Sequence, residues 1–494
     1  MGSVVCCLAN PLSKTPDLAR VPPTPAITAD WLTETLRRAG RLTVGQRVAS
    51  LTMAQLAASA SDGTAMENGG GLAGGAVVRI TGITYEGVDA DAEALPRALI
   101  HKWCSASEIL QALSTKDRFW AGLLIHLGQY YGVRQELTVY RDLAEELRAA
   151  GVALPRTLYA ALDDGGHTDT LLCCAMAFPH RPYLRSSVLC EDMGERGFAA
   201  GVVTSGPRMT HRDALTAATT MARIHAWGWG GRGRGEPESQ WTALVAGHNK
   251  LSHRFLKKFQ TDTTLQKFLD LWSSRDHAAD LQDEGVRQLL WDLRANFNNW
   301  FQRGCDMPRD QTLLHGDFHV GNIFIRKDGA TEPDDVTVID WAYLGTGHVS
   351  WELNYFLTLS CGGSHEEDME VLAAYHAELI ARNPSIDYTL EALQADCKLT
   401  LFMQTVGNIL DKSSKSKVRE YYSRVEEGGS ARDIALVNDI LRQRIHSRLA
   451  GYYASNDWGD YFSGARSADG AGVLGGAGGG RTKVGYGVSE SLIK

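Results

Sequence analysis

Between Thr312 and Trp341 the chain reads Leu313-Leu-His-Gly-Asp-Phe-His-Val-Gly-Asn-Ile-Phe-Ile-Arg326, then a turn rich in Asp and Gly, then Val336-Thr-Val-Ile-Asp-Trp341. Two short apolar runs flank a polar loop, the pattern of a hairpin that holds Asp317, Asn322 and Asp340 near one another. Phosphoryl transfer calls for this set. One carboxylate orients an attacking hydroxyl and accepts its proton, while an amide oxygen and a second carboxylate hold Mg²⁺ against nucleotide phosphates. Hard oxygen donors suit that ion.

Such a loop works only alongside elements that position the phosphates, and the spacing indicates which these are. Asp317 to Asn322 is five positions, the base-to-Asn separation of a protein-kinase catalytic loop, and Asp340 lies 23 positions after Asp317. A site of this kind needs a lysine on its third strand. Between Lys14 and Lys116 the only lysine is Lys102, at the end of the predicted strand Ala98-Leu-Ile-His-Lys-Trp103. Its partner must be a carboxylate that faces inward from the following helix. Glu136 precedes Tyr140, Leu143 and Leu147 by 4, 7 and 11 positions, which puts it on an apolar stripe where an unpaired charge is costly. The cluster Gly69, Gly70, Gly71 and Gly74 comes just before the second strand, where a backbone loop can pass close to phosphates unobstructed.

His315-Gly-Asp-Phe-His319 with Asn322 and Ile339-Asp-Trp341 resembles the signature of the aminoglycoside phosphotransferase and choline kinase superfamily, including its ecdysteroid-kinase-like branch. The resemblance extends over about residues 45 to 460. It implies a protein-kinase-like fold, ATP and Mg²⁺ as cofactors, and transfer of the γ-phosphate to a hydroxyl of a small molecule. By it, Asp317 is the catalytic base and Asn322 and Asp340 are the magnesium ligands; the strand and helix reading above independently gives Lys102 the phosphate oxygens and Glu136 the positioning of Lys102. Val188-Leu-Cys-Glu-Asp-Met193 resembles the family's inter-lobe linker, whose backbone at Glu191 and Met193 meets the adenine edge. One departure stands out. Where the family has an Asp that supports the catalytic loop from a helix, this chain reads Trp351-Glu352-Leu353-Asn354, with Glu352 as the expected substitute.

Strand patterns precede helical ones, an α+β arrangement of two lobes. A helix capped by Thr28 is followed by a small antiparallel meander from Val48 to Trp103 and a long helix over about 129–150 stopped by Gly151. Strands are then expected at 171–178 and 187–193. After Thr210 the chain turns helical, and His211-Arg-Asp213 reads as a capped first turn because Ala218 stands where a catalytic loop needs Asn. The expected organisation is a tail at 1–26, a nucleotide-binding lobe at 27–193, a catalytic and substrate-binding lobe at 194–462, and a Gly-rich tail at 463–494.

Composition narrows the alternatives. With 50 Lys+Arg against 58 Asp+Glu the chain carries a formal charge of −8, which argues against a nucleic-acid binder relying on bulk charge. No apolar run is long enough to span a membrane and no signal segment is evident, so a cytoplasmic location is expected. Met1-Gly-Ser-Val-Val-Cys-Cys7 offers Gly2 for N-acylation and Cys6 and Cys7 for palmitoylation, although Cys6 replaces the usual Ser or Thr and a plain disordered terminus is the preferred reading. The acceptor is not legible. Trp227, Trp229, Trp241, Trp272, Trp291 and Trp300 are read mainly as core, and the acidic Glu366–Glu370 as a solvated face; the competing readings are a cage for a quaternary ammonium and an attractor for an amine. Two rival functions use the same loop: a metal-dependent hydrolase with His315, Asp317 and His319 on one strand face, and a catalytically inactive kinase-like binding protein.

Overall fold

The computed structural model describes residues 27–55, 75–88, 95–105, 132–133, 135–163, 185–200, 209–231, 292, 307, 311–362, 364–413 and 448–451. Outside these lie Gly69, Gly70, Gly71 and Gly74, both tails with Gly2, Cys6 and Cys7, the strand expected at 171–178, and Trp241, Trp272, Trp291 and Trp300.

Thr28, in extended backbone, accepts the Trp31 N–H at 3.1 Å and starts helix α1, Ala29–Arg38. Its apolar stripe, with Leu32 and Leu36 fully buried, packs against Val48, Ile80, Leu99, Leu158 and Leu189 of a five-stranded sheet. That sheet is built from β1 (Arg47–Gln55), β2 (Gly75–Glu86), β3 (Leu99–Ser105), β4 (Thr157–Asp163) and β5 (Arg185–Glu191). The strand order is β1-β2-β3-β5-β4, and every pairing is antiparallel. In β3 the period of two sends successive side chains to opposite faces. His101 lies against α1, with its ring 6.2 Å from that of Trp31, and Lys102 points the other way.

On that second face runs a helical segment, residues 135–149, here α2, in which Val139–Leu143 form one π-helical turn. The widened turn adds a residue to the repeat. Leu137, Tyr140, Ala144 and Leu147 are buried, whereas Leu143, expected on the stripe, is only partly so. Gly151, at φ +83°, follows the helix end. The edge strand β4 was not foreseen.

The second lobe packs α3 (His211–Gly228), α4 (Val349–Ser360), α5 (His365–Arg382) and α6 (Leu390–Ser413) around Met221, Ile224, Phe318, Trp341, Leu353 and Phe356. Thr210 caps α3 by accepting the Asp213 N–H at 3.1 Å, so His211-Arg-Asp213 is a helix start. Into this bundle are set β7 (Thr312–Leu314) paired with β10 (Gly345–Gly347), and β8 (Ile323–Arg326) between β6 (Phe198–Ala200) and β9 (Val336–Val338). The architecture is α+β, a sheet lobe joined to a helical lobe. Among the described residues, no helix is long and apolar enough to cross a membrane.

Candidate active site

The two lobes meet at Lys102. Its ammonium lies 2.9 Å from Glu136 on α2 and 2.8 Å from Oδ1 of Asp340, so a single cation joins β3, α2 and the second residue after β9. Glu136 is buried, as an inward carboxylate with a paired charge allows. Burial opposes the charge on Lys102, but Glu136 and Asp340 outweigh it and hold the amine well above the usual lysine range.

The loop between β7 and β8 carries Asp317. Its Oδ2 accepts from the Asn322 side chain at 3.0 Å, and its backbone carbonyl accepts from the same amide nitrogen at 3.0 Å. Both amide N–H groups of Asn322 are therefore spent on Asp317, and its carbonyl oxygen is the end left for a cation. Oδ1 of Asp317 accepts the Tyr355 hydroxyl at 2.7 Å, and His319 Nε2 stands 3.5 Å away. Burial works against ionisation of Asp317, yet the interactions with His319 and Tyr355 keep its carboxyl below the usual range.

His315 is wholly buried, and both of its ring nitrogens are committed. Nε2 donates to the Ile339 carbonyl at 2.8 Å, while Nδ1 accepts the Asp317 N–H at 3.2 Å. Burial lowers its pKa and keeps the ring neutral, as that pattern requires. The hairpin β8–β9 completes the arrangement. Ile339 N–H bonds to the Asn322 carbonyl at 3.0 Å, which places Asp340 one residue from that rung. Asp340 adopts φ +60° and ψ +63°, the one non-glycine residue with positive φ among the described residues. Backbone strain of that kind collects at functional positions.

Glu352, near the start of α4, is buried and grips the loop from below. Its Oε1 accepts the Gly316 N–H at 2.5 Å, and Oε2 accepts the His315 N–H at 3.1 Å and His225 Nε2 at 2.8 Å. The Tyr375 hydroxyl lies 2.6 Å from His225 Nδ1. Farther along α4, Ser360 Oγ accepts the Val320 N–H at 2.9 Å. Sequence reasoning anticipated Glu352 but passed over Tyr355, Tyr375 and Ser360. Their partners lie 38 or more positions away, out of reach of any local spacing.

The inter-lobe linker follows β5. The Glu191 N–H is used by the Arg156 carbonyl at 3.0 Å, and the Met193 carbonyl accepts the N–H groups of Arg196 and Phe198. Arg79 of β2 pairs with Asp192 at 2.5 Å, and Asp192 also accepts the Gly194 N–H at 2.8 Å, so the linker is tied to the sheet. In the acidic stretch Glu366–Glu370, Glu366 and Glu370 are exposed, as a solvated face expects, and three of its carboxylates have partners. Glu367 completes a capping box with Ser364, buried Asp368 pairs with Arg448 at 2.8 Å, and Glu370 meets His211 at 2.7 Å. Trp227 and Trp229 pack against the core.

This geometry corrects the hydrolase alternative. With both nitrogens of His315 in hydrogen bonds and His319 Nδ1 accepting the Gly321 N–H at 2.9 Å, the His315, Asp317 and His319 side chains do not form a ligand set. Among the described residues, no group of three or more His, Cys, Asp or Glu is placed to hold a metal ion. Two oxygen donors, Asn322 and Asp340, fit an ion that takes its remaining ligands from water and phosphates, as Mg²⁺ does.

A family model described as the ecdysteroid kinase-like family matches residues 130–388, just over half of the chain and narrower than the span expected from motifs. It takes in Glu136, the linker, the catalytic loop and Glu352, and leaves Lys102 to be linked through its ion pair. No curated protein matches. Among solved structures, the chain is similar to choline kinase LicA from Streptococcus pneumoniae at 13% identity, covering 86% of this chain and 99% of that one with a TM-score of 0.35. It is also similar to macrolide 2'-phosphotransferase MphH from Brachybacterium faecium at 11% identity, covering 83% and 97% with a TM-score of 0.35. A third is aminoglycoside phosphotransferase APH(4)-Ia in complex with ADP and hygromycin B, at 13% identity, 84% and 98% coverage and a TM-score of 0.32.

Proposed function

Because the chain belongs to the ecdysteroid kinase-like family, and is thus a phosphotransferase with an alcohol group as acceptor, we propose that it moves the γ-phosphoryl group of Mg-ATP onto a hydroxyl of a small hydroxylated metabolite. The nucleotide lies between a lobe formed by residues 27–193 and one formed by 194–462. The observation that carries this reading is Lys102, held at once by Glu136 and by Asp340, the residue after the Ile339–Asn322 rung, with Asn322 in turn bonded to Asp317. An inactive kinase-like protein has no need to keep base, amide, second carboxylate and lysine in one cleft.

Each side chain then has a task. Asp317 accepts the proton of the acceptor hydroxyl on its carboxylate, each oxygen of which keeps a lone pair beyond the hydrogen bond it already makes. Lys102 exchanges part of its contact with Asp340 for phosphate oxygens, while Glu136 keeps it aimed into the cleft. Asn322, through its carbonyl oxygen, and Asp340 would hold Mg²⁺. When bound, that ion neutralises charge on the phosphates. The backbone near Glu191 and Met193 meets the adenine.

The test is ADP release from Mg-ATP across a panel of hydroxylated metabolites. Asp317→Asn is expected to lower turnover roughly 10²-fold or more while leaving nucleotide binding intact, and near-normal turnover removes Asp317 from the role. Asp340→Ala is expected to abolish Mg-dependent nucleotide binding. Binding that stays unchanged without Asp340 sinks the metal assignment.

A further inference from the structure

Helix α4 touches the catalytic loop at three points from one face. Glu352, Tyr355 and Ser360 are spaced i, i+3 and i+8, and they reach respectively the His315 and Gly316 N–H groups, Asp317 Oδ1 and the Val320 N–H. Two of the three hold backbone. Only Tyr355 meets the functional atoms of the carboxylate itself, at 2.7 Å. We propose that Tyr355 is a positioning residue for the phosphoryl-transfer step, its hydroxyl fixing the orientation of the Asp317 carboxylate at the oxygen that Asn322 leaves free. The proposal rests on the reading of Asp317 as the base.

Three features favour this over a merely structural contact. Asn322 occupies Oδ2 and Tyr355 occupies Oδ1, so the carboxylate cannot swing about its last torsion without losing one donor, and its remaining lone pairs keep a fixed direction. A phenol bonded to an ionised carboxylate forms a charge-assisted hydrogen bond, stronger than a neutral one. Burial and the neighbouring Asp317 also push the Tyr355 phenol far above its ordinary range, so it remains a donor at every working pH. During transfer the acceptor O–H bond breaks and its proton passes to Asp317, the new O–P bond forms, and the bond to the departing ADP breaks. Tyr355 neither gains nor loses a proton.

The experiment measures ADP release from Mg-ATP, with water as the acceptor when no other is supplied, for wild type, Tyr355→Phe, Asp317→Asn and the double variant. Tyr355→Phe removes one oxygen atom. It is expected to lower kcat roughly 10- to 100-fold with KM for ATP little changed. Adding Tyr355→Phe to Asp317→Asn is expected to cost nothing further. Turnover is counted per nucleotide-binding site, which keeps the test decisive if only part of a Tyr355→Phe preparation folds. Wild-type kcat in Tyr355→Phe overturns the proposal, as does a full additional loss in the double variant. If Asp317→Asn itself turns over normally, the base assignment fails first and this proposal falls with it. An inactive Asp317→Asn beside a normal Tyr355→Phe leaves the phosphotransferase reading standing and removes Tyr355 alone.

Discussion

His315 Nε2 donates to the Ile339 carbonyl at 2.8 Å, a bond across 24 positions that ties the residue two before Asp317 to the residue just before Asp340. Its Nδ1 meanwhile accepts the Asp317 N–H, so one neutral imidazole sets the separation between the base and the second carboxylate. His315→Phe keeps a ring of similar size against Phe318 and Trp341, whose rings lie 5.9 and 4.6 Å from it, but leaves a buried carbonyl and a loop N–H without their partner. The expected cost is about 1–3 kcal/mol of stability with at least a tenfold fall in kcat. Denaturant unfolding and ADP release measured side by side check both, and unchanged kcat refutes the spacing role.

Glu352 receives three N–H groups, from His315, Gly316 and His225, inside the core. Glu352→Ala strands all three donors and is expected to lose about 3 kcal/mol or more. Glu352→Asp keeps the charge but draws the carboxylate back by one methylene, so it satisfies some donors and loses others. Its stability should fall between wild type and Glu352→Ala, with kcat reduced roughly tenfold. Full activity in Glu352→Asp would show that the longer side chain is not required for the loop.

What the chain reveals before folding depends on how far apart the partners are. Asp317 and Asn322 stand out because their relation spans five positions and one loop, and Lys102 because the surrounding sequence holds no other lysine. Glu136 was found from its place on an apolar helix stripe, even though the π-helical turn at Val139–Leu143 shifted the positions beyond it. Strand β4, Thr-Leu-Tyr-Ala-Ala-Leu-Asp, has too little alternation to declare itself, and pairing with β5 defines it. Tyr355 and Tyr375 carry no local signal, since each acquires its role only when α3, α4 and α5 converge beneath the loop.

Gly316 sits at φ +83°, and a Cβ there would overlap the Tyr343 carbonyl oxygen. The obstacle is backbone, which cannot rotate aside as a side chain can. Gly316→Ala therefore combines left-handed strain with a displaced 343–345 segment and pulls the Gly316 N–H away from Glu352. The expected loss is about 2 kcal/mol or more together with most of the turnover. A Gly316→Ala protein with wild-type unfolding and kinetics would mean that the loop has an alternative path.

His101 stands next to Lys102 on β3 but faces α1, where its Nε2 lies 2.7 Å from Ser187 Oγ and burial lowers its pKa to about 4. The unfolded chain holds a histidine near 6.5, so between that pH and about 4 the unfolded state binds the extra proton and the folded state does not. Stability contributed by the neutral ring is thus fully present above about 6.5 and falls as the pH drops through this window, by roughly 2 kcal/mol at pH 5. His101→Gln retains a hydrogen-bonding side chain without a titrating ring. Denaturant unfolding at pH 7.5 and pH 5 should show a smaller acid loss in His101→Gln than in wild type, the difference being close to that 2 kcal/mol. Equal losses in the two proteins would place the acid sensitivity elsewhere and leave His101 as a packing residue beneath α1.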